Sequence, residues 1–182
     1  KNEVDLPLNL EIAPTVEMVQ IAVQHKPHAV CLVPEKREEV TTEGGLDVAG
    51  LKDRLQPLVK ELMSAGCRVS LFIEADLVQL KAAANLGVPV VELHTGRYCE
   101  ASGASRSIEL DRISGAAKDA ILLGLECHAG HGLVFDSVKQ IAAIPESVEL
   151  NIGHFLVGEA IFMGLKEAIG EMRRLMDEAV GN

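Results

Sequence analysis

Aromatic residues are scarce in this chain: they make up 3% of its 182 residues, with no tryptophan and a single tyrosine. Hydrophobic residues nevertheless account for 48% of the sequence. Valine, leucine, isoleucine and alanine must therefore fill the core, and such a core is typical of parallel strands covered by helices. The length suits one substantial core and is short for two ordinary domains, so we predict a single domain over residues 1–182.

Positive charge and long apolar runs are also lacking. The formal net charge is −10, which argues against a nucleic-acid partner because a phosphate backbone requires a cationic surface. No apolar run approaches the ~20 residues that span a bilayer, so no membrane partner is predicted. The four cysteines have no CxxC spacing. Reduced thiols and the lack of a secretory signal favour a cytoplasmic location.

Several motifs of well-defined chemistry are missing as well. The histidines have no HxxxH spacing and no cysteine cluster accompanies them, so we predict neither a metal nor a cofactor that would need such ligands. A Walker loop and a serine nucleophile elbow are absent too.

Six short apolar or β-branched runs are present, each bounded by glycine, proline or charge, and they predict buried strands. Their bounds are Leu8–Ala13, Ala29–Pro34, Arg68–Glu74, Val88–His94, Leu125–Ala129 and Val148–Gly153. Helical patterns follow them at Val16–Gln24, Val48–Ala65, Leu77–Leu86, Ser107–Leu123, Val138–Ala143 and about 161–179. Thr15 and Asp76 are predicted N-caps.

Strict alternation of strand and helix predicts a parallel sheet with right-handed crossovers. A complete (β/α)8 TIM barrel needs ~250 residues, and the six units seen here fall short by about two. We therefore predict an α/β fold of the (β/α)8 class that lacks its first two strand–helix units. An open doubly wound sheet is the alternative, although its usual glycine-rich fingerprint is absent.

In a parallel barrel the chemistry collects at the carboxyl ends of the strands. Glutamates, histidines and the glycines beside those histidines cluster at the predicted ends: Glu11, Glu35, Glu74, Glu92 with His94, His131 with Gly132, and Gly153 with His154. A purely structural barrel would need few such groups there. His94 is expected to support its neighbours, and His128, inside a strand, is expected to pack.

Two carboxylates and two histidines are the main candidates. Glu11 and Glu92 stand in apolar strands, where a carboxylate is costly to bury unless it is paired or protonated. Acid–base work is predicted for Glu11, and orientation of a histidine or stabilisation of positive charge for Glu92. His131, flanked by glycines, is predicted to transfer protons, and His154 to contact phosphate or substrate.

Five segments, in order along the chain, resemble the pyridoxine 5′-phosphate synthase family: residues 8–11, 32–48, 92–96, 129–133 and 150–154. The resemblance covers essentially the whole chain. Its most specific part is the Glu-Val-Thr-Thr-Glu-Gly-Gly run within the long polar loop at 34–47. On the catalytic face of a barrel, a loop of that length typically binds substrate.

The resemblance implies an enzyme that condenses 1-deoxy-D-xylulose 5-phosphate with 3-amino-2-oxopropyl phosphate and forms homo-oligomers (octamers in the family), without metal or cofactor. The products are pyridoxine 5′-phosphate, phosphate and water. Glu11 would be a general acid/base, His131 a late proton donor and Glu92 a transition-state stabiliser, with Thr41 on the deoxyxylulose phosphate. The resemblance also implies that three residues bind the amino-ketone phosphate: Gly132, Gly153 and His154.

The family's first two strands contribute an Asn-x-Asp-His run and a His/Arg-containing loop that this sequence does not contain. A polypeptide that truly begins at Lys1 is expected to show little turnover, and one that carries those residues normal activity. Two alternatives remain: another sugar-phosphate barrel enzyme such as an epimerase or aldolase, and a noncatalytic phosphate-binding barrel fragment. The predicted strands contain no lysine for a Schiff base, which counts against an aldolase.

Overall fold

The computed structural model describes residues 5–34 and 44–181. Across these ranges six short strands form one parallel sheet, ordered sequentially from the first strand to the last. The strands are β1 (Asn9–Ile12), β2 (Ala29–Leu32), β3 (Arg68–Ile73), β4 (Val90–His94), β5 (Glu126–Gly130) and β6 (Ser147–Asn151). Each agrees with its predicted bounds to within two residues, so the parallel alternating architecture is confirmed.

Helices connect the strands and cover one face of the sheet. They are α1 (Val16–His25), α2 (Lys52–Ser64), α3 (Leu77–Leu86), α4 (Gly96–Glu100), α5 (Gly103–Leu122), α6 (Val138–Ala142), α7 (His154–Met163) and α8 (Leu165–Val180). The predicted caps are confirmed: Thr15 accepts from the Met18 N–H at 3.2 Å, and Asp76 from the Val78 N–H at 2.6 Å. Such caps satisfy first-turn donors that otherwise lack partners.

Three helix predictions were wrong in their bounds, and one helix was missed. The helix predicted at Ser107–Leu123 is α5, which begins four residues earlier, at Gly103. The single helix predicted at about 161–179 is α7 followed by α8, because the chain turns at Gly164 with a φ of 90°. Helix α2 begins at Lys52 rather than Val48, since Asp47 accepts from the Gly50 N–H and forms a turn there. Helix α4, just after β4, was not predicted.

The two faces of the sheet differ in character because side chains alternate along each strand. The face toward the helices is apolar and carries Val30, Leu32, Val69, Leu71, Ile73, Val91, Leu93, Cys127 and Ala129. The opposite face is rich in polar and ionisable groups: Glu11, Cys31, Ser70, Glu92, His94, Glu126, His128, Glu149 and Asn151. The carboxyl end of this polar face is where the chemistry of a parallel barrel is expected.

The sheet is curled around that polar face. Cys31 on β2 and Glu92 on β4 belong to strands that are not neighbours, yet Sγ of Cys31 lies 3.7 Å from Oε2 of Glu92. Six parallel strands with this curvature form a partial barrel. Along the described ranges, no helix is both long and apolar enough to cross a membrane.

Candidate active site

Glu92 is the best-enclosed carboxylate of the polar face, with 4% of its surface exposed. Its Oε2 accepts from Nδ2 of Asn151 at 2.9 Å and from the Cys31 thiol at 3.7 Å. Burial first, and then the negative charge of Glu11, raise the pKa of Glu92 to about 7, although the Asn151 bond acts the other way. A carboxyl group with this pKa can both donate and accept a proton at neutral pH.

Gly130, which pairs with His94 in the strand register and lies beside the Glu92 carboxylate, has no room for a side chain. A Cβ at Gly130 would meet Oε1 of Glu92 and would stand 2.9 Å from the backbone oxygen of Asn151. The close approach of β5 to the carboxylate therefore requires glycine at this position.

We expect Gly130→Ala to lower the free energy of unfolding by about 1–3 kcal/mol, because the added methyl overpacks the buried Glu92 site. Urea denaturation measures the loss. The matched control is Gly158→Ala in α7, where an added Cβ meets nothing within 4 Å. Equal stability of the two variants would contradict the proposed steric limit.

Glu11 lies on β1, beside Cys31 in the strand register. In the sequence, Glu11 stands in an apolar strand, where burial of its carboxylate would cost free energy. Its side chain is in fact exposed, so this cost does not arise. It is close enough to Glu92 for the two negative charges to repel each other. The structure thus places the predicted acid/base and the predicted stabilising carboxylate on one face.

His131 and Gly132 form a sharp turn directly after β5. Both have a φ of 80°, and among the described residues outside glycine only Lys26 shares a positive φ with His131. The hydroxyl of Thr95 holds the turn, donating to the carbonyls of Gly130 at 2.8 Å and His131 at 2.6 Å. Such a left-handed conformation in a non-glycine residue is concentrated at functional sites.

A second ionisable group adjoins this turn. The rings of His94 and His131 lie 5.0 Å apart, and Phe72 packs edge-on to His94 at 5.2 Å. Nδ1 of His94 is 2.8 Å from Oε1 of Glu74. The strand ends of β3, β4 and β5 therefore converge here, as the sequence predicts.

Gly153 and His154 begin α7, where Gly153 is the N-cap and His154 the first helical residue. Both are exposed, and no side chain caps this helix. The first N–H groups of a helix attract anions through their free donors and the helix dipole. Two other predicted site residues, Thr41 and Glu35, fall outside the described residues.

The family model described as Pyridoxal phosphate biosynthesis protein PdxJ matches residues 1–178. The chain belongs to this family. Among its relatives is the pyridoxine 5′-phosphate synthase of Rhodospirillum rubrum, 61% identical over 181 residues, which are 99% of this chain and 73% of that protein. The enzyme of the same name from Zymomonas mobilis is 60% identical over 176 residues, 97% of this chain and 69% of that protein.

Solved structures outside the family share the fold. A xylose isomerase domain protein from Planctomyces limnophilus has a TM-score of 0.57 at 15% identity, over 93% of this chain and 71% of that one. The citrate synthase SbnG has a TM-score of 0.54 at 12% identity, over 94% and 73%. At such identities the likeness shows the fold alone, and it confirms the partial-barrel class for this PdxJ-family chain.

His128 lies at the other end of the polar face and is ion-paired. Only 5% of its surface is exposed. Nε2 is 2.8 Å from Oε1 of Glu126, and Nδ1 is 3.2 Å from Oε1 of Glu149. Arg68 binds the Glu126 carboxylate through two nitrogens at 2.8 Å. The prediction that His128 merely packs was therefore incomplete.

These contacts shift the pKa values within the cluster. Hydrogen bonds from Arg68 and then His128 lower the pKa of Glu126 to about 2. Burial acts to lower the pKa of His128, but Glu149 and Glu126 outweigh it, so that pKa is raised above 6.5. The stability that protonated His128 contributes is thus complete below pH 6.5 and is lost as the pH rises through the folded-state pKa.

We expect His128→Gln to lower the thermal midpoint at pH 6 and to reduce its fall between pH 6.5 and 9. The reason is that glutamine carries no proton to lose in that range. Scanning calorimetry at several pH values measures the slope, with His25→Gln on the exposed end of α1 as control. An unchanged slope in His128→Gln would show that His128 does not titrate in this range.

Proposed function

We propose that this chain catalyses the condensation of 1-deoxy-D-xylulose 5-phosphate with 3-amino-2-oxopropyl phosphate to pyridoxine 5′-phosphate, phosphate and water. The observation that carries the proposal is Glu92, a buried carboxyl with a pKa of about 7 on the same strand as His94, whose ring adjoins His131. Relatives about 60% identical are named for this synthesis.

The reaction suits an array of acid and base groups. Imine formation, dehydration and ring closure each move protons, and each benefits from a positioned donor or acceptor. In our proposal the exposed carboxylate of Glu11 is a general acid/base and Glu92 stabilises developing positive charge. His131, held on a rigid turn, donates a proton late in the sequence. No step of this scheme requires a metal or an organic cofactor.

Phosphate binding is proposed at the start of α7 and at the β5 turn. The free N–H groups beside Gly153 and the ring of His154 supply donors for the amino-ketone phosphate, and Gly132 allows its close approach. Thr41 is proposed to contact the deoxyxylulose phosphate. This placement agrees with the phosphate sites of barrels, which lie in loops after the last strands. A transferase-type classification and a cytoplasmic location belong to the same proposal.

The deciding assay incubates the full-length natural polypeptide with both substrates and detects pyridoxine 5′-phosphate together with released phosphate. We expect both products in equal amounts, and neither when one substrate is omitted. Conversion of deoxyxylulose phosphate alone would indicate an epimerase. Calorimetric binding of both compounds without turnover would indicate a noncatalytic phosphate-binding protein.

Self-association is proposed from the surface of α7. No residue of this helix is buried, and Ile161 and Phe162 have 80% and 86% of their surfaces exposed. Neighbouring large apolar side chains at this exposure are typical of a protein–protein interface.

We expect the protein to be a homo-oligomer in light scattering and the double variant Ile161→Glu/Phe162→Glu to have a lower mass, because it places charge in the interface. Glu61→Lys on α2, exposed and away from α7, is the control. A monomeric parent at high concentration would contradict the proposal.

A further inference from the structure

Glu74, at the end of β3, has partners from three other parts of the chain. Its Oε1 accepts from the Gly45 N–H at 3.2 Å and lies 2.8 Å from Nδ1 of His94. Its Oε2 is 3.5 Å from Nη1 of Arg112, whose Nε binds Glu109 at 2.7 Å. A carboxylate held by so many donors has little freedom to move.

The ionisation of Glu74 decides which nitrogen of His94 carries the proton. Burial acts to raise the pKa of Glu74, but His94, Gly45 and Arg112 together lower it. Near neutral pH the group is therefore a carboxylate, which can only accept. Nδ1 of His94 must then be the donor, so whenever the ring carries a single proton, that proton is on Nδ1 and Nε2 on the other side is unprotonated.

That Nε2 lies next to Gly96, which also adjoins the His131 ring. It is buried and, within the part of the chain that the structure describes, has no hydrogen-bond partner. A Cβ built on Gly96 would lie 2.5 Å from Nε2 of His94 and 3.3 Å from Cδ2 of His131. Gly96 thus lets the two imidazoles approach each other, and a buried polar atom left without a partner requires an explanation.

We propose that Glu74 and His94 form a positioning dyad for His131: Glu74 fixes the tautomer and orientation of His94, and His94, packed with Phe72, holds the His131 ring in its working geometry. In this proposal the dyad acts through His131 and not by contact with the substrate. This inference rests on the proposed function for its kinetic consequence, and on the geometry of the three side chains for its physical basis.

The dyad predicts a distinct kinetic pattern. His94→Phe retains a ring beside Phe72 and His131 but loses both nitrogens, and Glu74→Gln retains an oxygen but loses the charge that fixes the tautomer. We expect each to lower kcat roughly 10–100-fold with KM changed less than about threefold, the effect of a misplaced catalytic group. Tyr98→Phe is the control for the loss of a buried hydrogen bond outside the dyad, because it removes a hydroxyl that donates to the carbonyl of Ser137 at 2.9 Å. We expect its kcat to equal that of the parent.

A double-mutant cycle separates positioning from simple destabilisation. If His94 acts through His131, adding His94→Phe to His131→Ala should lower kcat by less than about twofold more, because the group being positioned is already gone. Effects that multiply in the double variant would overturn the dyad. Equal kcat in His94→Phe and the parent, with both folded, would overturn it as well.

NMR of the imidazole nitrogens tests the dyad without turnover. We expect the parent to show His94 protonated at Nδ1, and the His131 ring signals to shift in Glu74→Gln but not in Tyr98→Phe. Unshifted His131 signals, or His94 protonated at Nε2, would overturn the inference. A parent that makes no pyridoxine 5′-phosphate while showing these shifts would refute the proposed function and leave the dyad established.

Discussion

Replacing His131 with alanine is expected to lower kcat by about 10²–10⁴-fold while KM changes little, because the proposed proton donor stabilises the transition state and not the bound substrate. Contacts of the backbone hold the turn that carries this residue. Thr95 bonds the carbonyls of Gly130 and His131, and Gly132 has its own φ of 80°. The fold should therefore survive the substitution, and steady-state formation of pyridoxine 5′-phosphate measures the result.

His25→Ala is the matched control, because that histidine is exposed at the end of α1, away from the carboxyl ends of the strands. We expect its kcat to equal that of the parent. Near-normal turnover in His131→Ala, with an unchanged circular-dichroism spectrum, would place the proton donor elsewhere. His154 at the start of α7 would then be the next residue to replace.

The sheet was predictable because its signals are local. Each strand is a short β-branched or apolar run ended by glycine, proline or charge, and such runs alternate with helical patterns along the whole chain. The break between α7 and α8 was missed because Gly164 stands within a continuous apolar and amphipathic pattern. Its φ of 90° depends on how the two helices pack, which periodicity does not record.

The partners of the site residues were less accessible to sequence reasoning. Glu92 was predicted, but Asn151 and Cys31, which hold its carboxylate, were not. Their contacts depend on the curvature of the sheet. The β5–β6 pairing also contains an irregularity, after which His128 faces Glu149. Alternation alone predicts which residues share a face, whereas register and curvature decide which of them meet.

Glu92 is also where stability and the proposed function conflict. Raising its pKa from the ordinary 4.5 to about 7 means that ionising this carboxyl in the folded state costs about 3 kcal/mol more than in the unfolded chain. Between those two pH values the folded protein binds more protons than the unfolded one. Stability attributable to Glu92 therefore falls as the pH rises from 4.5 through 7 and stays low above it.

Glu92→Gln should consequently be more stable than the parent at pH 8, by about 1–3 kcal/mol, and nearly equal to it at pH 4.5. Glutamine keeps an oxygen for the Asn151 amide and has no charge to bury. The same variant should lose about 10²–10³-fold in kcat, because the proposed role of Glu92 is to stabilise developing positive charge and glutamine has no charge. Urea denaturation at the two pH values and steady-state kinetics at pH 8 measure the two effects.

Glu61→Gln, exposed in α2, provides the control and should change neither stability nor turnover appreciably at either pH. If Glu92→Gln is as stable as the parent at both pH values, the buried carboxyl does not carry the ionisation cost described here. If it is stabilised yet fully active, the charge of Glu92 has no catalytic role. If Glu92 is buried for its catalytic role at a cost in stability, Glu92→Gln must be more stable than the parent only at high pH and must also lose turnover.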